Sequence, residues 1–282
     1  MSESLPIVRI FWSGGFDSSF RMVQLSKQNV TIQPYYICND LGRRKPRELH
    51  AIASITEDIE NNPETNCTIL PLIKKRVEDI PHDKQILEAY TRLAKNFGLA
   101  RQYYWFASFC EAENISGVEL GIEKSELSTL IRCINACGKV TAINEGSISY
   151  YTVDSAESPR DLSLVLGSFR FPIPLFDTTK KQLVELYEEY GYGHVMDKTW
   201  FCCRPINGEP CGTCITCRNA IKAGLQCRFS DEALERYENY HGSRNLLAWV
   251  GKRTNIFPIL IRLRLLNVAR KMLGRLRQMQ SQ

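Results

Sequence analysis

Short apolar runs alternate with longer stretches of helical spacing through most of the chain. Residues 7–12 (Ile-Val-Arg-Ile-Phe-Trp) form the first β-branched run, and a helical pattern follows from Asp17 to Lys27. The second run, residues 30–38, contains Pro34, which predicts an irregular strand or an exposed edge because proline has no N–H for a ladder. A turn at residues 39–42 precedes a helix that Pro46 can open at its first position. Residues 67–73 make a third run. Helical spacing follows at Ile86, Leu87, Tyr90, Leu93, Ala94 and Phe97, and residues 103–109 are apolar nearly all round, as in a buried helix. Residues 117–122 read as a fourth strand. Between 138 and 170 the Thr-, Ser- and Tyr-rich alternation around residues 148–153 fits a strand or a loop equally. Finally, Asp177-Thr178-Thr179-Lys180 caps a helix running to about Tyr190. Alternating strands and helices predict an α/β fold with a doubly wound, mainly parallel sheet that binds ligands at its carboxyl ends.

At 282 residues the chain can bury one α/β core plus a smaller appendage. The expected division is a catalytic domain at 1–198, a metal-binding segment at 199–229 and a helical basic extension at 230–282. No internal repeat suggests an array or scaffold. The first six residues lack the basic and apolar regions of a signal peptide, and no apolar run reaches about 18 residues. A cytoplasmic location is therefore expected, and eleven cysteines there argue for metal binding and reduced thiols before disulfides. The net charge of +5 hides an asymmetry: from Arg244 onward nine Lys or Arg stand without an acid, leaving 27 bases against 31 acids in residues 1–243.

Ser13-Gly14-Gly15-Phe16-Asp17-Ser18-Ser19 lies between the first strand and its helix. Paired glycines can take positive φ and bring backbone N–H groups to an anion, and the helix points its positive end at the same place. The hydroxyls add donors or magnesium contacts, and Asp17 can cap the helix or hold Mg2+ near phosphates. Far along the chain, Cys202, Cys211, Cys214 and Cys217 follow the spacing Cys-x8-Cys-x2-Cys-x2-Cys, with Gly208 and Gly212 for turns. Four thiolates fill a tetrahedral Zn2+ site; an iron–sulfur cluster is the rival, and the adjacent Cys203 can replace Cys202. A closed four-thiolate site leaves no position for water, so its role is structural. The other cysteines default to core filling. The four histidines form no recognisable motif, which leaves histidine catalysis unsupported.

The loop resembles the S-G-G-x-D-S-S signature of the PP-loop (N-type) ATP pyrophosphatases, whose fold is that of the adenine nucleotide alpha hydrolases. That resemblance implies cleavage of ATP between the α and β phosphates, with Asp17 near the Mg2+ and Ser13, Gly14, Gly15, Phe16, Ser18 and Ser19 around the pyrophosphate. From residue 7 to about 225 the chain is also similar, in order, to the 7-cyano-7-deazaguanine synthases. Asp40-Leu41-Gly42-Arg43-Arg44 with Glu48-Leu49, Arg101, Gly121, Pro174 to Lys180, and Thr199 to Cys202 carry that likeness. It implies an ATP-dependent C–N ligase that adenylates a carboxylate, 7-carboxy-7-deazaguanine, and transfers ammonia nitrogen to it, giving the nitrile precursor of queuosine. Lys180 and Arg101 are the candidates for stabilising phosphate charge. One departure concerns the acceptor: after Gly121 the family's acidic and Pro-Asp-Cys-Arg-type stretch is replaced by residues 122–127, Ile-Glu-Lys-Ser-Glu-Leu. A PP-loop enzyme with another acceptor, such as a sugar uronate or a tRNA base undergoing thiolation, is the alternative, and non-enzymatic nucleotide or RNA binding comes third.

The partners these readings predict are the small-molecule carboxylate and ammonia, with a homodimer as the expected assembly. Residues 244–277 interleave apolar and basic positions around Pro258, as amphipathic basic helices do. Such helices attach to an anionic membrane surface, RNA or a protein partner, or pack on their own domain with a solvated basic face.

Overall fold

A computed structural model describes residues 5–38, 45–173 and 175–240. In chain order its main elements are β1 (Ile7–Phe11), α1 (Phe16–Ser26), β2 (Thr31–Cys38), α2 (Lys45–Asn61), β3 (Thr68–Ile69), β4 (Ile73–Arg76), α3 (Lys84–Phe97), α4 (Gln102–Ala112), β5 (Val118–Leu120), α5 (Thr129–Cys137), β6 (Val140–Glu145), β7 (Ile148–Val153), α6 (Arg160–Leu166), β8 (Phe169–Pro172), α7 (Lys180–Glu189), α8 (Gly193–Met196) and α9 (Ile215–Lys222). Residues 231–240 are helical as well. The basic residues 244–277 and the turn at 39–42 lie outside the described residues.

The sheet runs β3-β2-β1-β5-β8-β7-β6, with β4 continuing the edge beside β2. Pairings from β3 and β4 through β8 are parallel, and β8, β7 and β6 are antiparallel. Side chains alternate across the strands. Val8 and Ile10 of β1 join a core with α1, α2, α7 and α9, whereas Phe11 joins the opposite core with α3, α4, α5 and α6. Helices thus cover both faces, as the doubly wound expectation requires. The chain begins mid-sheet at β1, winds out to β4, then returns to β5 on the other side of β1. This reversal opens a crevice at the carboxyl ends of β1 and β5.

Three local expectations change. The run at 67–73 is two short strands, broken at Pro71. This break falls opposite Pro34, so the missing proline donor meets a gap while β2 stays regular and interior. Residues 138–170 contain the hairpin β6–β7, helix α6 and β8. The Cys-rich segment is also continuous with the main body: Cys202, Cys211, Cys217, Ile221, Leu225 and Ala233 share one hydrophobic cluster with α1 and α2.

Candidate functional site

The loop after β1 shows how its residue types set its geometry. Gly14 has φ +68°, and a Cβ there would lie 2.7 Å from the Glu48 carbonyl oxygen, so glycine is required twice over. Gly15 has an ordinary extended φ of −78° and stands at the N-cap of α1, so the positive φ expected of both glycines occurs at one. No side chain caps α1: Asp17 sits in its first turn, and the leading N–H groups lack intrahelical acceptors. The Gly15 N–H donates to Ser13 Oγ at 3.3 Å and Ser18 Oγ to the Gly15 carbonyl at 3.4 Å. Ser19 is turned away. Its buried Oγ accepts from the Trp12 indole at 3.0 Å, which corrects the reading of three loop hydroxyls facing the phosphates.

Beside the loop is a cavity of about 370 Å³, lined by Ser13, Gly15, Phe16, Asp17 and Ser18, by Gly121, Ile122 and Glu123 after β5, and by Lys180. Its far walls are aromatic, from Phe11, Tyr35, Tyr103 and Phe106 on one side to Trp200 and Phe201 on the other; Phe11 and Phe106 stack at 4.3 Å. Thr179 closes a capping box with Gln182 and fixes the start of α7. From there Lys180 Nζ reaches Asp17 Oδ1 at 2.6 Å and Glu123 Oε1 at 3.1 Å. Burial opposes the lysine's charge, but the two carboxylates outweigh it and hold its pKa above the ordinary value. Burial, then the charge of Asp17, push Glu123 up to about 7 against the pull of Lys180. Asp17 Oδ1 therefore already faces a cation beside the loop.

Arg101 is not part of this group. Gly98, with φ +71°, ends α3, and Arg101 stands in the turn before α4, exposed, with its guanidinium over the Trp105 ring at 5.6 Å. Among the cavity residues, Glu123, Tyr36 and Asn219 belong to no motif. Glu123 lies in the stretch set aside as a departure, and its signal was its position just beyond a strand end. A buried pair underlies the crevice: Arg21 of α1 binds Glu119 of β5 at 2.7 and 2.8 Å. Gly121 lets the end of β5 approach α1, since a Cβ there would lie 2.7 Å from Ser18 Cα.

The ligand atoms of Cys202, Cys211, Cys214 and Cys217 all lie within 4.8 Å of one another. Backbone N–H groups of Cys211 and Cys214 point at Cys202 and Cys211 sulfurs, both at 3.3 Å, as thiolate ligands require. Cys203 is not among the four whose ligand atoms converge, and its Sγ lies 3.5 Å from Thr216 Oγ1. This cluster adjoins the cavity: Trp200 and Phe201 line it, and the Trp200 backbone N–H donates to the Gly14 carbonyl at 2.8 Å; Arg236 Nε also donates to the Cys211 carbonyl at 3.1 Å.

Comparison with solved structures finds the U34-tRNA thiolase NcsA from Methanococcus maripaludis with its [4Fe-4S] cluster. It is 11% identical over 85% of this chain and 72% of that one, with a TM-score of 0.39. A 4-thiouridine synthetase–RNA complex with bound ATP is 14% identical over 84% and 53%, with a TM-score of 0.33. No curated protein sequence matches the chain. No helix among the described residues is long and apolar enough to cross a membrane. The family of queuosine biosynthesis protein QueC matches residues 7–226, a span that begins with β1, takes in the loop and all four clustered cysteines, and ends after α9. By that match the chain belongs to the QueC family of PP-loop, ATP-using proteins.

Proposed function

We propose that the protein is an ATP-dependent C–N ligase that adenylates 7-carboxy-7-deazaguanine, adds ammonia to it and carries the product on to 7-cyano-7-deazaguanine. The observation that carries this reading is the family match over residues 7–226 together with an intact loop opening onto a cavity that also holds Asp17 and Lys180. A carboxylate is a poor electrophile, and adenylation gives it a good leaving group. The loop N–H groups with Ser13 and Ser18 would receive the departing pyrophosphate, and Lys180 would turn from Asp17 to it. Asp17 would hold Mg2+, which neutralises phosphate charge when bound. The aromatic walls suit two flat rings, adenine and the deazapurine. Arg101 has no part in this reading.

We assign Zn2+ to the four cysteines. Tetrahedral thiolates around one zinc stand about 3.8 Å apart at bonds of about 2.3 Å, which suits the compact sulfur set, whereas a multi-iron cluster spreads its ligands. Its role is to pin the Trp200–Phe201 wall of the cavity; the boundaries at 198 and 229 divide these roles within one body. Incubation with ATP, Mg2+, ammonium and the deazapurine acid, followed by mass spectrometry, is expected to give AMP and the nitrile. AMP only with another acceptor, a sugar uronate or a tRNA base, would favour the alternative that the altered residues 122–127 motivate. Absence of AMP with every acceptor would leave nucleotide or RNA binding alone.

A further inference from the structure

Glu123 lines the cavity but has no role in the ATP chemistry proposed above. It follows β5 directly, and the next residue is tied to the start of α7 by a Lys124 N–H bond to the Thr178 carbonyl at 2.9 Å. One carboxylate oxygen takes the Lys180 ammonium, while the other, Oε2, is buried with no hydrogen-bond partner. A buried carboxylate oxygen left unpaired is costly, and such an atom lining a cavity marks the place of a donor from outside the chain. The neighbouring charges define that donor. Asp17 from α1 and Lys180 from α7 face Glu123, and this pair of carboxylates already embraces one primary ammonium, that of Lys180.

We infer that Glu123 is a catalytic residue of the nitrogen-transfer step, binding the incoming ammonium through Oε2 and taking its proton. The inference rests on the ligase reading above. When Lys180 turns to the phosphates, the place its ammonium leaves beside Glu123 is free for a cation of the same chemistry. Ammonium gives one proton to the Glu123 carboxylate, and the released nitrogen lone pair forms the C–N bond at the acyl carbon. The C–O bond to AMP then breaks, AMP leaving with that electron pair, and the nitrogen loses a second proton to solvent. Burial beside Asp17 suits the carboxyl to this exchange, since it raises its affinity for a proton.

The test uses the full chain and a nucleophile that needs no base. Hydroxylamine is largely unprotonated at neutral pH, whereas ammonia is held as ammonium. In Glu123→Gln, which keeps an acceptor for Lys180, the ratio of hydroxylamine to ammonia transfer rates is expected to rise by about a hundredfold, the usual contribution of a positioned base. Acid-dependent pyrophosphate exchange into ATP reports adenylation separately. An unchanged ratio with exchange intact overturns the inference and leaves the ligase reading standing. Equal loss of exchange and of both transfers also overturns it, placing Glu123 in the ATP step. If the wild-type protein shows no exchange with any carboxylate, the ligase reading falls and takes this inference with it.

Discussion

The loop after β1 and the Cys cluster both gather backbone N–H groups, and they differ in how completely those groups are matched by acceptors of the chain itself. Around the cysteines, N–H groups meet sulfurs of the chain itself, the sulfurs converge within 4.8 Å, and Cys202, Cys211 and Cys217 are buried. At the loop, the N–H groups of a helix start face a cavity, and Asp17, Glu123 and Lys180 satisfy one another only in part. A saturated donor set has nothing left to offer a substrate and contributes to folding. An unsaturated one spends stability to keep groups available for chemistry. The hydrogen bond from Trp200 to Gly14 couples the two, so the closed site holds the open one in shape.

Breaking the closed site should have the largest effect. Cys214→Ser is expected to lose about one zinc per chain and about 5 kcal/mol of stability, a fall in Tm of roughly 10–20 °C. Elemental analysis with calorimetry checks it, and iron in place of zinc would remove the single-ion assignment. Asp17→Asn should act on the open site: AMP formation falls about a thousandfold, or about 4 kcal/mol of barrier, with zinc content unchanged. Undiminished AMP release would sink the loop assignment.

Glu119→Ala probes the frame beneath the crevice. It strands Arg21 in the core and should cost about 3 kcal/mol by denaturant titration, whereas Arg21→Leu with Glu119→Leu together should cost much less. A smaller effect concerns pH. Because the folded pKa of Glu123 is raised to about 7, its contribution to stability is full below the ordinary carboxylate range and is lost as pH rises through about 7. Melting curves between about pH 6 and about pH 8 should therefore fall more for wild type than for Glu123→Gln. Least of all, removing residues 244–282 should spare AMP formation and zinc. The cut leaves the packed helix at 231–240, with buried Ala233 and the Arg236 contact to Cys211. Equal co-sedimentation of both forms with anionic vesicles or RNA, at low and high salt, would exclude the tail as an attachment segment.

The glycine-rich loop and the convergence of the four cysteines were legible in the sequence because each is a contiguous run whose spacing dictates its geometry. The parallel sheet was legible from the alternation of runs, and α7 from its cap. What escaped depends on neighbours far along the chain. Arg101 read as a candidate for phosphate charge, yet Gly98 ends α3 before it and it stands exposed in the turn before α4, over the Trp105 ring. Ser19 read as one of three equivalent hydroxyls, but its place on α1 turns it to Trp12. Glu123 matched no pattern; it matters because β5 lies beside β1 and α7 begins over both, a relation made only by the fold.

The interrupted strand opposite Pro34 also bears on how the protein behaves in a crowded solution. A sheet that ends on an open strand invites a second molecule to extend it, and long apolar edges are where such growth begins. Here the edge offers two residues at Thr68–Ile69, a break at Pro71, and then Ile73-Lys74-Lys75-Arg76, three cations in a row. An approaching strand finds no continuous ladder and meets charged side chains along the second half of the edge, with Lys75 paired to Glu113 and Arg76 to Asp79. The proline that breaks the pattern of the third run thus shortens the ladder this flank can offer to another strand.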